Sequence, residues 1–311
     1  MADVNVIFLL SILIVVIGFI LKRLKVLKET DGDTISRLIF NVTLPAVIFK
    51  FATTIQFDFS LILLPVMGIL FGFLIAFVAF LIFRKEPSKL KGVMIMTTMG
   101  FSVGNFFFPL VEGIWGQQGM QYVALFDLGN AFTLFVTCYL LSVIYSPQNQ
   151  DYSVKINYKL ILKRVIRSGP LLSYFVAILI NVSGIVIPNF FSEFIDILAR
   201  ANTALAWLLL GVFLHLKFDK KEWISIIKVL VIRYSVGLLV GLCLFFFLPQ
   251  SIFSPLFRLI ICLSLILPMG LSVIIFSVEN GHNQKFATMI ANLTILISFG
   301  LIWVLIIVLN G

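Results

Sequence analysis

Long apolar segments separated by short polar stretches follow one another along the whole chain. A helix needs about 20 such residues to cross a bilayer. The pattern predicts an all-α integral membrane protein with ten transmembrane helices, of which the fourth and ninth are broken. The predicted helices are 4–21, 33–52, 60–83, 91–115, 119–145, 169–187, 193–215, 223–248, 255–278 and 285–309.

The composition agrees with a lipid environment. Of the 311 residues, 61% are hydrophobic and only 12% are charged, whereas soluble domains are about 25% charged. A soluble fold has no place for so much apolar surface. We therefore expect the lipid bilayer as the partner of most of the outer surface.

The basic residues lie on alternate loops. Of the 23 Lys and Arg residues, only Lys50, Arg200 and Arg258 fall on one side of the ten-helix arrangement. One group assigned to the other side is Lys217, Lys220, Lys221, Lys228 and Arg233. By the positive-inside rule that side is cytoplasmic, and both termini are outside the cytoplasm. The net charge of +9 is thus a topology signal rather than a sign of a nucleic-acid partner, and no basic residue is expected at mid-depth.

A polar stretch divides the chain into two halves. Five predicted helices precede residues 146–168 and five follow them. Because five is odd, the second half enters the membrane from the opposite face, as in inverted repeats. The predicted domains are a first repeat (1–145), a cytoplasmic linker (146–168) and a second, inverted repeat (169–311).

Polar residues and prolines recur at matching places in the two halves. The matching residues are Pro109 with Pro268, Asn41 with Asn202, and Asp127 with Asn292. Proline lacks an N–H group and interrupts a helix. In hydrocarbon the freed backbone groups are tolerated only inside protein or beside a water-filled cavity. We therefore predict that the two interrupted helices, 4 and 9, face one binding site near the membrane midplane.

The geometry of two interrupted helices suits an anion. An interrupted helix leaves unpaired N–H groups, with a partial positive charge, at the start of its second half. A small organic anion is therefore the predicted substrate, held near Pro109 and Pro268. Asn105 and Ser272 would orient it.

Other polar residues within the apolar segments are candidates for ion coupling. Asp127 is the only carboxylate deep in a predicted helix, and it is expected to be protonated, paired or bound to an ion. Asn130, one turn later, and Asn292 are assigned to the same role, with structural hydrogen bonding as the alternative. Asn41 and Pro45 are assigned to a gate or substrate site, with helix packing as the alternative. No cofactor is expected beyond a coupling H⁺ or Na⁺.

The sequence lacks the motifs of several kinds of enzyme and metal site. The sequence has no HExxH, no paired DDxxD and no Ser or Cys with a neighbouring His in an apolar segment, so no catalytic residue is assigned. Cys138, Cys243 and Cys262 show no CxxC spacing, and neither a disulfide nor a metal site is predicted. Glu112 and His282 lie near helix ends and are expected to be solvated.

Four stretches resemble the auxin efflux carrier family. They are NVTLPAVIFKFATT (41–54), GFSVGNFFFPLVEGIWGQQG (100–119), ALFDLGNAF (124–132) and LILPMGLSVIIF (265–276). That family includes plant PIN proteins and bacterial permeases described as malate or malonate transporters. The central linker is short, as it is in the prokaryotic permeases, and in this the chain resembles them.

The resemblance implies two inverted five-helix repeats, related to the bile-acid symporter fold, with a scaffold domain and a transport domain. It places Asn105, Pro109 and Pro268 where the broken helices cross. It implies elevator-type secondary transport in the plasma membrane and a possible homodimer. The alternatives are a sodium-coupled symporter of the bile-acid type, or a channel or receptor.

Overall fold

The computed structural model describes residues 3–56, 58–147, 168–214 and 222–310. Within these ranges the regular elements are helical and no strand occurs. The α-helices are α1 (Val4–Arg23), α2 (Glu29–Leu38), α3 (Leu44–Ala52), α4 (Leu63–Ile82), α5 (Ser88–Met99), α6 (Phe108–Phe132), α7 (Tyr139–Ile144), α8 (Gly169–Ser183), α9 (Asn189–Phe213), α10 (Trp223–Phe247), α11 (Pro255–Ser264), α12 (Ser272–Glu279) and α13 (Gln284–Asn310). The predicted linker lies outside the described residues except at its two ends.

Many of these helices are suited to a bilayer. In the described ranges, seven helical stretches are long and apolar enough to cross a membrane, and three shorter apolar helices accompany them. The chain is therefore a multi-pass membrane protein. One stretch, Val103–Ile144, covers parts of two predicted helices, which meet at Gly116 with φ 54° and ψ −140°. The count of ten crossings stays a prediction.

Wide turns of π-helix precede two of the prolines. Ile39–Thr43 leads into α3, and Val103–Phe107 leads into α6. In each case the second residue of the following helix is a proline, Pro45 or Pro109. Because proline has no N–H group, it cannot make the helical bond to the preceding turn, and the wide turn lies where that bond is missing. Single π turns of this kind occur often at functional sites.

The chain forms two compact units. The first unit contains residues 1–61, 104–128 and 166–214, and the second contains 62–103, 129–165 and 215–311. Each unit draws on both halves of the sequence. The repeats predicted at 1–145 and 169–311 are related by symmetry rather than by compactness, so that division stays a prediction.

In the first unit, α1 packs on α9 and α8 packs on α3. The approach of α1 to α9 is very close. A Cβ atom on Gly211 would lie 2.0 Å from the Val15 carbonyl oxygen, and one on Gly18 would lie 2.3 Å from the Leu208 carbonyl oxygen. The two backbones therefore touch directly, as small residues permit between membrane helices.

In the second unit, α4 packs on α5 and α10 packs on α11. The α5 helix ends at Met99 and α11 ends at Ser264. Non-helical segments follow these ends: residues 100–102 directly, and residues 267–270 after a turn at 265–266. The interruptions predicted near Pro109 and Pro268 are thus present, and they determine the geometry of the site.

Candidate functional site

The two extended segments pair with each other inside the second unit. The Ser102 N–H donates to the Pro268 carbonyl at 2.9 Å, and the Gly270 N–H donates to the Gly100 carbonyl at 3.3 Å. This is the pattern of two antiparallel strands. The pairing, here called the crossover (residues 100–102 with 267–270), satisfies backbone groups that the helix breaks would leave free.

Small residues allow the crossover to form. A Cβ atom on Gly270 would lie 3.2 Å from the Phe101 carbonyl oxygen, and one on Gly100 would lie 2.7 Å from the Val273 side chain. Ser272 is buried and is the first residue of α12. The N-terminal end of α12 therefore begins directly after the crossover.

A buried arginine joins the two segments. Arg233 lies in α10 and is 0% exposed. Its guanidinium donates to the carbonyl oxygens of Thr97 (3.1 Å), Thr98 (2.7 Å) and Gly100 (2.9 Å), and to that of Leu267 twice (3.2 and 2.7 Å). The expectation that no basic residue lies at mid-depth is wrong for Arg233. It was assigned to a loop group because it follows Lys217–Lys228 in sequence.

Amide and hydroxyl side chains surround the crossover in the second unit. The Asn130 amide donates to the Phe101 carbonyl at 3.3 Å, and the Met269 N–H donates to the Thr294 hydroxyl at 3.0 Å. Asn292, two residues before Thr294 in α13, is buried, and its Nδ2 atom has no partner among the described residues. The structure thus brings Asn130 and Pro268 to the same crossover and leaves a spare donor on Asn292.

In the first unit, Asp127 is buried against a tyrosine. The Tyr174 hydroxyl donates to the Asp127 carboxylate at 3.0 Å. Asp127 is 7% exposed and Tyr174 is 2% exposed. Asp127 is thus buried and accepts a hydrogen bond from α8, while its role in ion coupling stays a prediction. Sequence reasoning missed Tyr174, because nothing in the pattern of α8 distinguishes its hydroxyl from those of other tyrosines.

Asn105 and Pro109 also lie in the first unit. Asn105 is 3% exposed, in the π segment before α6, and its Oδ1 atom has no partner among the described residues. Beside it, a Cβ atom on Gly104 would lie 2.8 Å from the Leu44 side chain. Asn105 therefore lies in tightly packed surroundings, and its Oδ1 atom accepts no hydrogen bond from the described residues.

Asn41 has a local role instead. Its side chain is exposed, and its amide donates to the Arg37 carbonyl one helical turn back at 2.7 Å. The buried contact nearby is between Thr43 and Asn202, where the Thr43 hydroxyl donates to the Asn202 Oδ1 atom at 2.9 Å. Pro45 is partly buried in α3. A substrate role for Asn41 and Pro45 stays a prediction.

Charged residues of the first unit form a network that the sequence did not predict. Lys50 pairs with Asp196 at 2.7 Å and approaches Glu112 at 3.8 Å. The Thr203 hydroxyl donates to Glu112 at 3.3 Å. Glu112 is therefore half-buried and paired rather than freely solvated. Lys50 and Asp196 also line a cavity of about 420 Å³, together with Gln117.

The expectation of a solvated His282 is wrong. His282 is 6% exposed, and its Nε2 atom bonds the Ser142 carbonyl at 2.8 Å. Burial lowers the pKa of the imidazole, while the bond to Ser142 acts in the opposite direction. The neutral ring, with its proton on Nε2, fits this place. Among the described residues no group of three or more His, Cys, Asp or Glu is placed to hold a metal ion.

Known proteins resemble this chain over most of its length. It is 27% identical over 215 residues to an uncharacterized transporter of Methanothermobacter thermautotrophicus, covering 67% of this chain and 68% of that protein. It is 23% identical over 220 residues to an uncharacterized transporter of Methanocaldococcus jannaschii, with the same coverage. The signature of the family described as "Membrane transport protein" matches residues 4–307. The chain therefore belongs to this membrane transport protein family, which confirms the resemblance to auxin efflux carriers.

Proposed function

We propose that the chain is a secondary active transporter of a small organic anion. The observation that carries the proposal is the antiparallel pairing of two interrupted helices at the crossover. Unwound backbone persists at membrane depth only inside protein or beside a cavity. In secondary transporters such interruptions form substrate and ion sites. The family membership and the relatives named as transporters support this class of function.

The chemistry of the second unit favours an anion. The α12 helix begins at Ser272, directly after the crossover, so the positive end of its dipole favours negative charge there. Asn292 offers a spare N–H donor that suits a carboxylate oxygen. In this unit the proposed substrate contacts are therefore Pro268 and Ser272. In the first unit Asn105 and Pro109 are proposed, with Asn41 and Pro45 as weaker candidates.

Two inverted repeats are supported by the packing inside each unit. In the first unit α1 packs on α9 while α8 packs on α3, and exchanging the two halves converts one contact into the other. Thr43 and Asn202, from matching helices, contact each other. The interrupted helices pair antiparallel in the second unit. We propose ten crossings on this basis, with both termini outside the cytoplasm.

Asp127 is the proposed coupling residue. A buried carboxylate that accepts a hydrogen bond from a tyrosine hydroxyl can take up a proton or a cation. Asn130 and Asn292 are proposed to assist it. We favour H⁺ as the coupling ion, with Na⁺ as the alternative found in symporters of the bile-acid type. The two compact units support an elevator-type cycle in the plasma membrane, and a homodimer stays a prediction.

Transport by the purified protein in proteoliposomes tests the proposal. Labelled malate and labelled indole-3-acetate would be presented under an imposed pH gradient, a sodium gradient or no gradient. We expect saturable uptake with counterflow, increased by the pH gradient. Uptake driven only by sodium would favour the alternative symporter. Ohmic, non-saturating current would overturn the carrier.

The coupling role has its own variant. We expect Asp127→Asn to lose the stimulation by the pH gradient while counterflow persists, because an amide cannot exchange the proton. The matched control is Asp58→Asn, an exposed carboxylate in a loop, which should behave as the wild type. Unchanged gradient-driven uptake in Asp127→Asn would show that coupling occurs elsewhere.

A further inference from the structure

Arg233 lies among many hydrogen-bond acceptors, and no carboxylate of the described residues pairs with it. Arg233 is the eleventh residue of α10, about 15 Å from the helix start at 1.5 Å per residue. All five of its N–H groups are used by backbone carbonyl oxygens. The ion pairs of the described residues do not include it. The guanidinium therefore brings a net positive charge into the second unit.

The acceptors share one property. Thr97, Thr98 and Gly100 are at the C-terminal end of α5, and Leu267 follows the end of α11. The last carbonyls of a helix lack intrahelical partners and carry partial negative charge. Without a cation, two such ends meeting at the crossover would repel an anion. Arg233 neutralises both ends at once.

We propose that Arg233 is a positioning residue for the substrate anion. It ties the ends of both interrupted helices together, and its permanent charge makes the crossover favour an anion over a neutral molecule. This rests on the proposed transport of an anion. Arg233 does not bind the anion itself, because no N–H group is left over. The α4 helix, at the matching place in the first half, contains no charged residue, so one cation serves both halves.

The ring of Phe101 supports this arrangement. It lies against the guanidinium, with 4.1 Å between the Arg233 Cζ atom and the ring centroid. An aromatic face attracts a cation, and Phe101 is itself part of the crossover. The side chain of Arg233 is thus held by hydrogen bonds at its edges and by a ring on its face. A charge fixed in this way acts on the site without moving during binding.

Two substitutions separate the charge from the hydrogen bonds. Arg233→Lys keeps a charge but has only three donors, and a buried lysine gives up its proton readily. Arg233→Gln keeps two donors and has no charge. KM and maximal rate would be measured for labelled malate in counterflow, at pH 6.5 and pH 8.5 on both sides of the membrane. Malate stays ionised across this range, and no driving force changes.

The expected pattern follows the charge at position 233. Each variant is compared with the wild type at the same pH, so that any effect of proton coupling on KM, which the three proteins share, cancels from the ratio. In Arg233→Lys the KM should be close to wild type at pH 6.5 and roughly tenfold higher at pH 8.5, as expected for one charge about 10 Å from the anion at an effective dielectric constant near 20. Arg233→Gln should show the higher KM at both pH values.

Thermal unfolding of each protein at each pH distinguishes a merely structural role. If both variants keep the wild-type KM and lose only stability, the proposal is wrong. If Arg233→Gln does not fold, the comparison of Arg233→Lys at two pH values decides the matter alone. Failure of the wild type to take up any organic anion would instead refute the proposed function. That experiment uses the wild-type protein alone, so the two failures can be distinguished.

Discussion

The contact between α1 and α9 gives a sharp test of the first unit. In Gly211→Ala the new Cβ atom would lie 2.0 Å from the Val15 carbonyl oxygen and 2.8 Å from the Phe19 nitrogen. An ordinary contact begins at 3.4 Å. The two helices would therefore have to separate by about 1.4 Å, the difference between these distances. No rotamer change relieves the overlap, because both neighbouring atoms belong to the backbone.

Two opposing effects determine the size of the loss. Replacing glycine by alanine inside a helix stabilises it by about 1 kcal/mol. Overpacking typically costs about 1 to 3 kcal/mol. We expect Gly211→Ala to lower the free energy of unfolding by up to about 2 kcal/mol in sum. Gly300→Ala in α13 is the matched control, since no heavy atom lies within 4 Å of its Cβ position, and it should be stabilising.

Thermal and denaturant unfolding in detergent, followed by tryptophan fluorescence, measures both effects. Gly18→Ala places a Cβ atom 2.3 Å from the Leu208 carbonyl oxygen in the same contact. Once one alanine has separated the helices, the second should cost less, so the double variant should lose less than the sum. Equal stability of Gly211→Ala and Gly300→Ala would refute the reasoning about this contact.

Two further predictions concern buried polar groups. Thr43→Val should lower the free energy of unfolding by about 1 to 3 kcal/mol, because the buried Asn202 Oδ1 atom loses the hydrogen bond that the Thr43 hydroxyl donates. The control is Thr288→Val, at a partly exposed position where the hydroxyl bonds only its own helix, and equal losses in the two would contradict the prediction. Because burial lowers the pKa of His282, the native state binds fewer protons than the unfolded chain, and stability should fall as pH drops below about 6.5. Unfolding temperatures between pH 7.5 and 5.5 measure this slope, which His282→Gln should reduce; an unchanged slope in that variant would contradict the prediction.

The helix breaks could be predicted from the sequence because their cause is local. Pro109 and Pro268 lack an N–H group in segments that otherwise favour helix. The burial of Asp127 was also predictable, since a carboxylate deep in an apolar segment must be sheltered. Local chemistry does not reveal how far each break extends. Pro109 lies in the first turn of a helix, whereas Pro268 lies in the extended segment itself.

The remaining features depend on contacts between distant parts of the chain. Arg233 looks like one more basic residue after Lys228, and its acceptors come from two other segments that are distant in sequence. Tyr174 is one tyrosine among seven. His282 is buried partly because Gly92 leaves room for it: a Cβ atom there would lie 2.9 Å from the imidazole. Hydropathy gives the depth of a residue but not its neighbours.

The crossover has a consequence for how the substrate selectivity of related transporters can change. Its two segments are joined through main-chain atoms, Ser102 to Pro268 and Gly270 to Gly100. Bonds of this kind do not depend on which side chains the segments carry, apart from the small residues needed for close approach. Surrounding positions such as Asn130 and Asn292 can therefore be exchanged without dismantling the frame. Related transporters can therefore differ in substrate selectivity while they keep the same main-chain pairing at the crossover.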